Sequence, residues 1–484
     1  MRRRLSLGFP VLPILAALAL NSCSGLPGGV GTTPPGNGTL ILVLKVKPPA
    51  PSSGLSLLSF AGTVTGVSLT PSTGTTSTLA AATFNVEFTR LTSDTFFLAT
   101  VSAPAGAHTA VNVTFGAHTA TFCTQPTPGV AGCSGAATQV SGAAGSASVT
   151  TPINITANQH SGLALVVDLG KAITLSGQTI TQVSLGATGV FTAAAVPGTS
   201  DLTAAQLAHT DDILGIVTSF SSSTHSVTVE TATHGSITAV QAANATYDPA
   251  CLNINNKTAD FGCVAANQVI SLDATLNADG TFTYTYYDPV DPSPDDLIEG
   301  VVTVQGDSTT QKFTMVTTDF TFAPTASVLS GSLHLGDTVV VTLSNPSPFL
   351  IDNKSLFVPV NLFAHSTDAS VVIPGQTVLL HFTSFTAANG TNPATATGVG
   401  LALRFTRINC TVATTGSPAF NVSNVAPFFG IAANSQVQFT SGFTSFDGYT
   451  DASGITVDDS ISARALFLGR VVAPSFSAAT IRKH

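Results

Sequence analysis

Short stretches in which apolar and polar residues alternate constrain this chain more than any other feature. Residues 84–89 read Phe-Asn-Val-Glu-Phe-Thr and residues 111–115 read Val-Asn-Val-Thr-Phe. A strand directs successive side chains to opposite faces, so this pattern is typical of a β-strand with one buried face. Turn residues rich in Gly and Pro follow such stretches, as at 71–74 and 104–106. The pattern predicts a fold made of strands and turns.

Composition supports the same fold class. Charged residues make up only 8% of the chain, against roughly 25% in ordinary soluble domains. Long solvent-facing helices normally use Glu and Lys, so their scarcity favours strands and turns. The 44% of hydrophobic residues is ample for a core. We therefore predict an all-β chain, with an N-terminal antiparallel β-sandwich followed by two or three small repeated β-barrel or sandwich units.

A repeat supports the serial units. Residues 215–218 read Gly-Ile-Val-Thr and residues 300–303 read Gly-Val-Val-Thr, and each leads through a Ser-Thr pair into an alternating strand. Repetition at a fixed spacing is typical of β units in series. The predicted order is a sandwich at 39–196, a linker with a short helix at 197–212, repeat units at 213–290 and 298–385, and a third, looser unit at 398–470.

The start of the chain predicts export. Three arginines precede an apolar stretch at 5–20 that is too short and too rich in Pro for a membrane span. The stretch ends in Leu-Asn-Ser-Cys at 20–23, which resembles the bacterial lipobox. We expect a signal peptide at 1–22, acyl chains on Cys23 that insert into a lipid bilayer, and a flexible tether over 23–38. Ser24 after the lipidated cysteine favours the outer membrane in Gram-negative bacteria. An ordinary secretory signal is the alternative.

Charge excludes one class of partner. Removal of residues 1–22 leaves 13 basic and 25 acidic residues, with no basic patch. Binding to phosphate backbones needs clustered Lys and Arg. We therefore expect no nucleic-acid partner, and either a glycan or an envelope protein instead.

The cysteines fall into two close pairs and one single residue. Cys123 lies near Cys133, and Cys251 lies near Cys263. In an oxidising compartment each pair can close a loop as a structural disulfide; free buried thiols are the alternative. Cys410 has no obvious partner.

Two segments resemble known bacterial β families. Residues 86–91, followed by Pro-Ala-Gly-Ala-His-Thr at 104–109, resemble domain of unknown function 4382, which is common in bacterial lipoproteins and usually has Tyr where this chain has His108. The unit that begins at Gly215, with Phe-Gly-Cys at 261–263 and Gln-Val-Ile at 268–270, resembles domain of unknown function 5666. The resemblances imply an extracytoplasmic β protein and carry no catalytic residue.

Two clusters are candidate metal ligands. His108 and His118 lie in twin Ala-His-Thr-Ala segments, so they either share a metal from neighbouring strands or only mark similar strand starts. Carboxylates at 288–299, among prolines, form either a solvated linker or a calcium site. These acidic residues are Asp288, Asp291, Asp295, Asp296 and Glu299.

An aromatic strand leaves two alternatives open. Phe282, Tyr284 and Tyr286 share one face of the stretch 281–287. Exposed, they would stack on sugar rings; buried, they are core. The absence of tryptophan favours the core.

No catalytic motif stands out. The chain has neither a Gly-x-Ser-x-Gly elbow nor a His-Glu-x-x-His zinc motif. We therefore predict no cofactor, no catalytic residue and a non-enzymatic binding, adhesion or structural role on the outer side of the cytoplasmic membrane. A glycan hydrolase with an unrecognised acid pair is the first alternative, and an outer-membrane β-barrel is the second.

Overall fold

A computed structural model describes most of the chain after residue 35. The described residues are 36–74, 76–80, 83–124, 130–196, 209–252, 258–277, 281–344, 347–358, 363–366, 368–390, 392–431, 435–470 and 473–484. Residues 1–35, with the predicted signal peptide, Cys23 and nearly all of the predicted tether, lie outside them.

The all-β fold class is confirmed, because strands dominate from residue 37 to residue 483. The only α-helix among the described residues is the single turn α1 (Leu169–Ala172), which begins where the Asp168 side chain accepts a hydrogen bond from the Lys171 amide. The 3-10 helices are Pro51–Ser53, Arg90–Thr92, Pro249–Leu252, Phe261–Cys263, Phe363–His365, Ala369–Val371, Pro427–Phe429 and Ala452–Gly454.

Twelve strands form an N-terminal module with two main sheets around one apolar core. They are β1 (Asn37–Lys47), β2 (Ser56–Pro71), β3 (Ser77–Ala80), β4 (Phe84–Glu87), β5 (Phe96–Pro104), β6 (Gly106–Cys123), β7 (Thr138–Gly142), β8 (Gly145–Ile155), β9 (His160–Asp168), β10 (Ile173–Ser176), β11 (Thr179–Val183) and β12 (Phe191–Val196). One sheet has the order β12-β9-β1-β5, and β2 and β6 are central in the other. The pairing of β1 with β9 is parallel, so the first sheet is mixed rather than wholly antiparallel. Its first strand begins at Asn37, inside the predicted tether.

Three small barrels follow the N-terminal module. The first contains β13 (His209–Ser221), β14 (Ser226–Thr231), β15 (Gly235–Tyr247), β16 (Val269–Leu276) and β17 (Phe282–Asp291). The second contains β18 (Leu297–Val304), β19 (Lys312–Phe320), β20 (Thr338–Leu343), β21 (Phe349–Ile351), β22 (Thr377–Thr386) and β23 (Ala394–Arg404). The third contains β24 (Thr406–Thr414), β25 (Ala419–Ser423), β26 (Ser435–Phe439), β27 (Ser445–Asp447), β28 (Ser460–Phe467) and β29 (Phe476–Lys483).

All three barrels share one strand order. Once the short extra strands β21 and β27 are set aside, the five remaining strands of each barrel pair in the closed order 1-2-3-5-4, with strands 3 and 5 parallel. This is the order of a five-stranded OB-type Greek-key barrel. Closure leaves no open edge among the five main strands, whereas β21 and β27 each pair with one strand only.

A common turn before the fourth strand supports the equivalence. Asp260, Asp368 and Asp451 each accept a backbone hydrogen bond at the start of a 3-10 helix. Eight residues later the side chain of Gln268, Gln376 or Asp459 accepts a backbone N–H of the same turn. In each of the three barrels, an aspartate and a second side-chain acceptor therefore stabilise the turn before the fourth strand.

Several boundaries of the linker and the repeat units differ from the predicted ones. Residues 209–212, placed in the linker by the sequence, belong to β13, because Thr210 and Asp212 are buried against other modules; residues 197–208, with the predicted helix, lie outside the described part. The second barrel extends to Arg404 rather than 385, since β23 pairs along β22. The third occupies 406–483 rather than 398–470.

No helix among the described residues is long and apolar enough to cross a membrane.

Candidate functional site: a buried ionic cluster between the modules

The most unusual feature of the fold is a group of charged side chains buried where the four modules meet. We call it the ionic cluster. Its cations are Arg90, Lys354, Arg404, Arg407, Arg464 and Arg482. Its acids are Asp94, Asp211, Asp212, Asp273, Asp288, Glu299, Asp319, Asp352 and Asp447. Buried charges are costly unless they are paired, so this arrangement needs close geometry.

Asp212 is the hub of the ionic cluster. It adopts a left-handed backbone conformation (φ 55°) at an irregularity of β13, which turns its carboxylate towards the neighbouring barrels. Its Oδ1 lies 2.6 Å from Lys354 Nζ in the second barrel, and its Oδ2 lies 2.6 Å from Arg464 Nη1 in the third. Its carbonyl accepts a hydrogen bond of 2.9 Å from Arg90 of the N-terminal module. One residue thus contacts all four modules.

Arg404 is the second centre of the cluster. It ends β23 and is among the largest fully buried side chains. Its guanidinium forms an ion pair with Asp352 and lies 3.4 Å from both Glu299 and Asp288. It also donates a hydrogen bond of 2.8 Å to Ser271 Oγ in the first barrel. Arg404 therefore joins the first and second barrels.

The remaining arginines attach the N-terminal module. Arg90 Nη1 lies 2.6 Å from Asp319 in the second barrel. Arg407 of the third barrel lies 2.8 Å from Asp94. Arg482, also of the third barrel, donates to the carbonyls of Leu91 and Asp94 at 2.9 and 2.8 Å. The 3-10 turn at 90–92 is therefore held by charged groups from two barrels.

Electrostatics within the cluster divide its acids into two kinds. Four nearby cations hold the pKa of Asp212 well below its usual range, despite burial. Burial raises the pKa of Asp319 to about 7, although Arg90 opposes the shift. Burial also raises the pKa of Asp288 and of Asp352. Because the acids outnumber the cations, protonation of some carboxyls brings the cluster closer to neutrality.

Chemically, the cluster is suited to holding modules together. Its carboxylates meet guanidinium and ammonium groups at contact distance, and the side chains of Asp212, Glu299 and Arg404 are each 2% exposed. Removal of one partner from such a buried pair typically costs about 3–5 kcal/mol, since the other charge is left unpaired.

The predicted acidic segment is solvated only in its middle, since Asp288 and Glu299 at its ends are buried, and its carboxyls do not converge. Asp288 and Glu299 are buried against Arg404, whereas Asp291 faces His381 at 3.2 Å. Asp296 accepts backbone hydrogen bonds of 2.6 and 2.7 Å from 323 and 328. Asp295 lies on the exposed turn between β17 and β18. The segment forms part of the junction between the first and second barrels. Its carboxyl groups face different partners and share no point at which they could bind a calcium ion.

His108 and His118 lie too far apart to share a metal ion. Both belong to the single strand β6, ten residues apart, which is about 33 Å at the usual rise. In His118, Nδ1 lies 3.3 Å from the Gly116 carbonyl and Nε2 accepts the Leu185 amide at 3.1 Å. The ring therefore serves the packing of the N-terminal module. Among the described residues no group of three or more His, Cys, Asp or Glu side chains is placed to bind a metal.

The cysteines pair as disulfides. The Cα atoms of Cys123 and Cys133 lie 4.9 Å apart, and those of Cys251 and Cys263 lie 5.5 Å apart. Both distances suit a disulfide. Cys410 is a free thiol buried in the third barrel, and burial raises its pKa.

The aromatic strand is core. Phe282 and Tyr284 are buried inside the first barrel, and the Tyr284 hydroxyl lies 2.8 Å from that of Tyr247. Tyr286 is half-buried and donates to Asp248 at 2.6 Å. Phe282 and Tyr284 lie in the core as predicted, but an irregularity in the pairing with β16 shifts the alternation, so Tyr287 rather than Tyr286 is fully buried. Tyr284 therefore offers no exposed ring for sugar stacking.

Sequence reasoning missed most of the ionic cluster. Arg404 follows Leu-Ala-Leu, and Arg464 stands within Ser-Ala-Arg-Ala-Leu-Phe. A charged residue inside an apolar strand, in a chain with only 8% charge, is the signal that could have found them.

Comparisons with known proteins add little. No protein-family model and no curated protein matches the chain. Among solved structures, one described as "drosophila Unr CSD456" is 5% identical over 57% of this chain and 97% of its own, with a TM-score of 0.13. That TM-score is too low to support any statement about fold or function.

Proposed function

We propose that this chain is an exported bacterial lipoprotein, anchored through Cys23, with a non-enzymatic binding or structural role in the cell envelope. In this proposal the four modules act as one rigid body that presents its loops away from the membrane. The contact of Asp212 with all four modules is the observation that carries the rigid-body part.

The use of charge supports a role without turnover. Nine of the chain's 25 acidic residues and six of its 16 basic residues belong to the ionic cluster. A catalytic acid pair must face a substrate across a groove. The cluster carboxyls face cations instead, which is the arrangement of a clamp.

The cysteines and the start of the chain support the location. Two disulfides suit an oxidising compartment outside the cytoplasm. The lipobox-like residues 20–23 and the following Gly- and Pro-rich stretch suit an anchor and a tether.

Metabolic labelling with an alkyne fatty acid tests the anchor. We expect the wild-type chain to take up the label and to sediment with membranes, and the Cys23→Ala variant to do neither. Cys410→Ala is the matched control and should label like the wild type. An unlabelled wild-type chain, or equal labelling of the Cys23→Ala variant, would overturn the anchored lipoprotein.

A further inference from the structure

We propose that an open groove on the first barrel binds a neutral glycan. The groove lies between the hairpin that joins β13 to β14 and the 3-10 turn that precedes β16. Aromatic rings of Phe220, His225 and Phe261 line it, together with the side chains of Gln241 and Asp260. This inference gives a ligand class to the binding role proposed above and rests on that role.

The groove has the shape of a small-ligand site. Its volume is about 690 Å³, within the range of ligand pockets in general. The ring of Phe261 stacks on that of His225 at 4.8 Å with a 25° angle between planes, and Phe220 lies 6.3 Å from Phe261. The Phe220 side chain is 45% exposed. The rings therefore offer apolar surface to an incoming ligand.

The second barrel shows what the same place looks like when it is closed. Val217 and Val302 are equivalent, because each exchanges backbone hydrogen bonds with the turn before the fourth strand. Phe220 in the first barrel thus corresponds to Gln305. In the second barrel the amide of Gly306 donates to the Val372 carbonyl at 2.9 Å, and hairpin and turn close on each other.

The ring positions differ in the same way. Phe261 follows the turn aspartate Asp260, whereas Ala369 and Ala452 follow the equivalent aspartates. His225, in a left-handed conformation before the second strand, corresponds to Gln311. Gln311 Oε1 accepts the Ala369 amide at 3.0 Å and so seals the second barrel. The rings of Phe261 and His225 therefore occupy the positions at which Ala369 and Gln311 form a hydrogen bond in the second barrel.

Gln241 supplies an independent sign of a polar ligand. Its backbone amide donates to the His225 carbonyl. At the equivalent places in the second and third barrels, the backbone amides of Leu343 and Phe439 donate to the carbonyls of Gln311 and Pro418. Leu343 and Phe439 are buried apolar side chains, so only the first barrel places an amide group here. The Gln241 Oε1 is shielded from solvent and has no hydrogen-bond partner among the described protein groups. Rotation of the Gln241 side chain, which lines the groove, would bring this oxygen to a ligand hydroxyl and give it a partner.

The lining favours a neutral, hydroxyl-rich ligand. Sugar rings combine an apolar face, which packs on aromatic rings, with hydroxyls that bond to amide and carboxylate groups. Asp260 is among the described residues that line the groove, and none of these described residues is Lys or Arg. A nucleic-acid strand or an acidic polysaccharide would bring anionic charge close to this carboxylate, and the described lining offers no cation to receive that charge.

A disulfide fixes the turn that bears the key ring. Cys263 lies two residues after Phe261 and is joined to Cys251. A rigid turn reduces the entropy lost when a ligand binds. The first barrel is the only one of the three that has a disulfide at this turn among the described residues.

The test is titration calorimetry of the purified full chain. The probes are cello-, laminari-, xylo-, chito- and maltotetraose, with heparin and single-stranded DNA as anionic comparators. We expect at least one neutral tetraose to bind with a Kd of about 1 mM or tighter, and neither anionic probe to bind. Phe261→Ala, which copies the other two barrels, and Gln241→Leu, which copies the second, should each weaken binding by tenfold or more.

The control is Phe443→Ala, which removes a more exposed ring (57%) from the third barrel and should leave binding unchanged. Failure of all five tetraoses, binding of an anionic probe alone, or equal binding by the Phe261→Ala and wild-type chains would each overturn the glycan site. Because this readout uses purified chain, its failure leaves the fatty-acid labelling result standing.

Discussion

The carboxylate of Asp212 lies 2.6 Å from the guanidinium of Arg464, although 252 residues separate them in the chain. The same carboxylate meets Lys354, and the same arginine meets Asp211 at 3.0 Å. The aromatic ring of Phe405 lies 4.7 Å from the Arg464 guanidinium and covers it. These contacts join the first strand of the first barrel to the fourth strand of the third.

Asp212→Asn should strongly destabilise the chain. The change removes the charge that faces Lys354, Arg404 and Arg464, and it leaves buried cations underpaired. We expect a loss of about 3–5 kcal/mol in the free energy of unfolding, measured by denaturant titration. Asp168→Asn, at a partly exposed pair with Lys47 at 3.8 Å, keeps the side-chain oxygen that caps α1; it is the control and should cost less than about 1 kcal/mol. Equal losses for the two variants would count against a special role of Asp212.

Arg90→Ala should uncouple the N-terminal module from the barrels. Arg90 bonds to Asp319, Glu299 and the Asp212 carbonyl, each of which belongs to a barrel. We expect calorimetric unfolding of the variant to occur in two separate steps and that of the wild-type chain to occur in one. An unchanged unfolding profile of the Arg90→Ala chain would contradict this coupling.

The contribution of His234 to stability should fall as the pH drops below about 6.5. Burial and the nearby Arg90 lower the pKa of His234 to about 3, while its ring stacks on Phe96 at 4.5 Å. The unfolded chain binds a proton near pH 6.5 and the folded chain does not, so acid favours unfolding between these values. The slope from this group is at most about 1.4 kcal/mol per pH unit.

His234→Phe keeps an aromatic ring and should flatten the acid slope between pH 6 and about 4. His334→Gln, at an exposed position, is the control and should retain the wild-type slope. If the His234→Phe chain lost stability with acid as steeply as the wild type, His234 would not be the source. Asp319 acts in the opposite direction, because its raised pKa lets the folded chain keep a proton that the unfolded chain has lost, so its contribution to stability declines as the pH rises from about 4 to about 7.

Alkylation should distinguish the single thiol from the four paired cysteines. Cys410 is fully buried and burial raises its pKa, so we expect no reaction with iodoacetamide in the folded chain. Unfolding without reductant should expose Cys410 alone among the five cysteines after Cys23, and reduction should add the other four. Peptide mapping that found Cys133 or Cys263 alkylated before reduction would contradict the disulfides.

The strands could be predicted from the sequence better than the ionic cluster between the modules. The alternation at residues 84–88 predicts a strand locally, and β4 covers most of that stretch. The repeat that begins at Gly215 and Gly300 likewise depends on neighbours in the chain, and both glycines lie in first strands of barrels. Such patterns are visible because burial of one strand face is a local property.

The ionic cluster depends on distant partners. The sequence places Asp288 and Glu299 in one acidic segment, yet both face Arg404, more than a hundred residues away. Likewise, Asp212 was assigned to a linker, since nothing near it in the chain indicates the cations that bury it. Ion pairs between modules leave little periodic signal in the sequence. The only sign of the ionic cluster is that Arg404 and Arg464 belong to otherwise apolar strands.

The most direct test of the clamp is a double-mutant cycle on Asp212 and Arg464. The free energy of unfolding is measured for the wild type, Asp212→Asn, Arg464→Met and the double variant. We predict a coupling energy of about 1–3 kcal/mol, because the two buried charges lie 2.6 Å apart across two barrels. Additive losses, with a coupling energy near zero, would show that the two barrels are held by other contacts and would contradict the clamp.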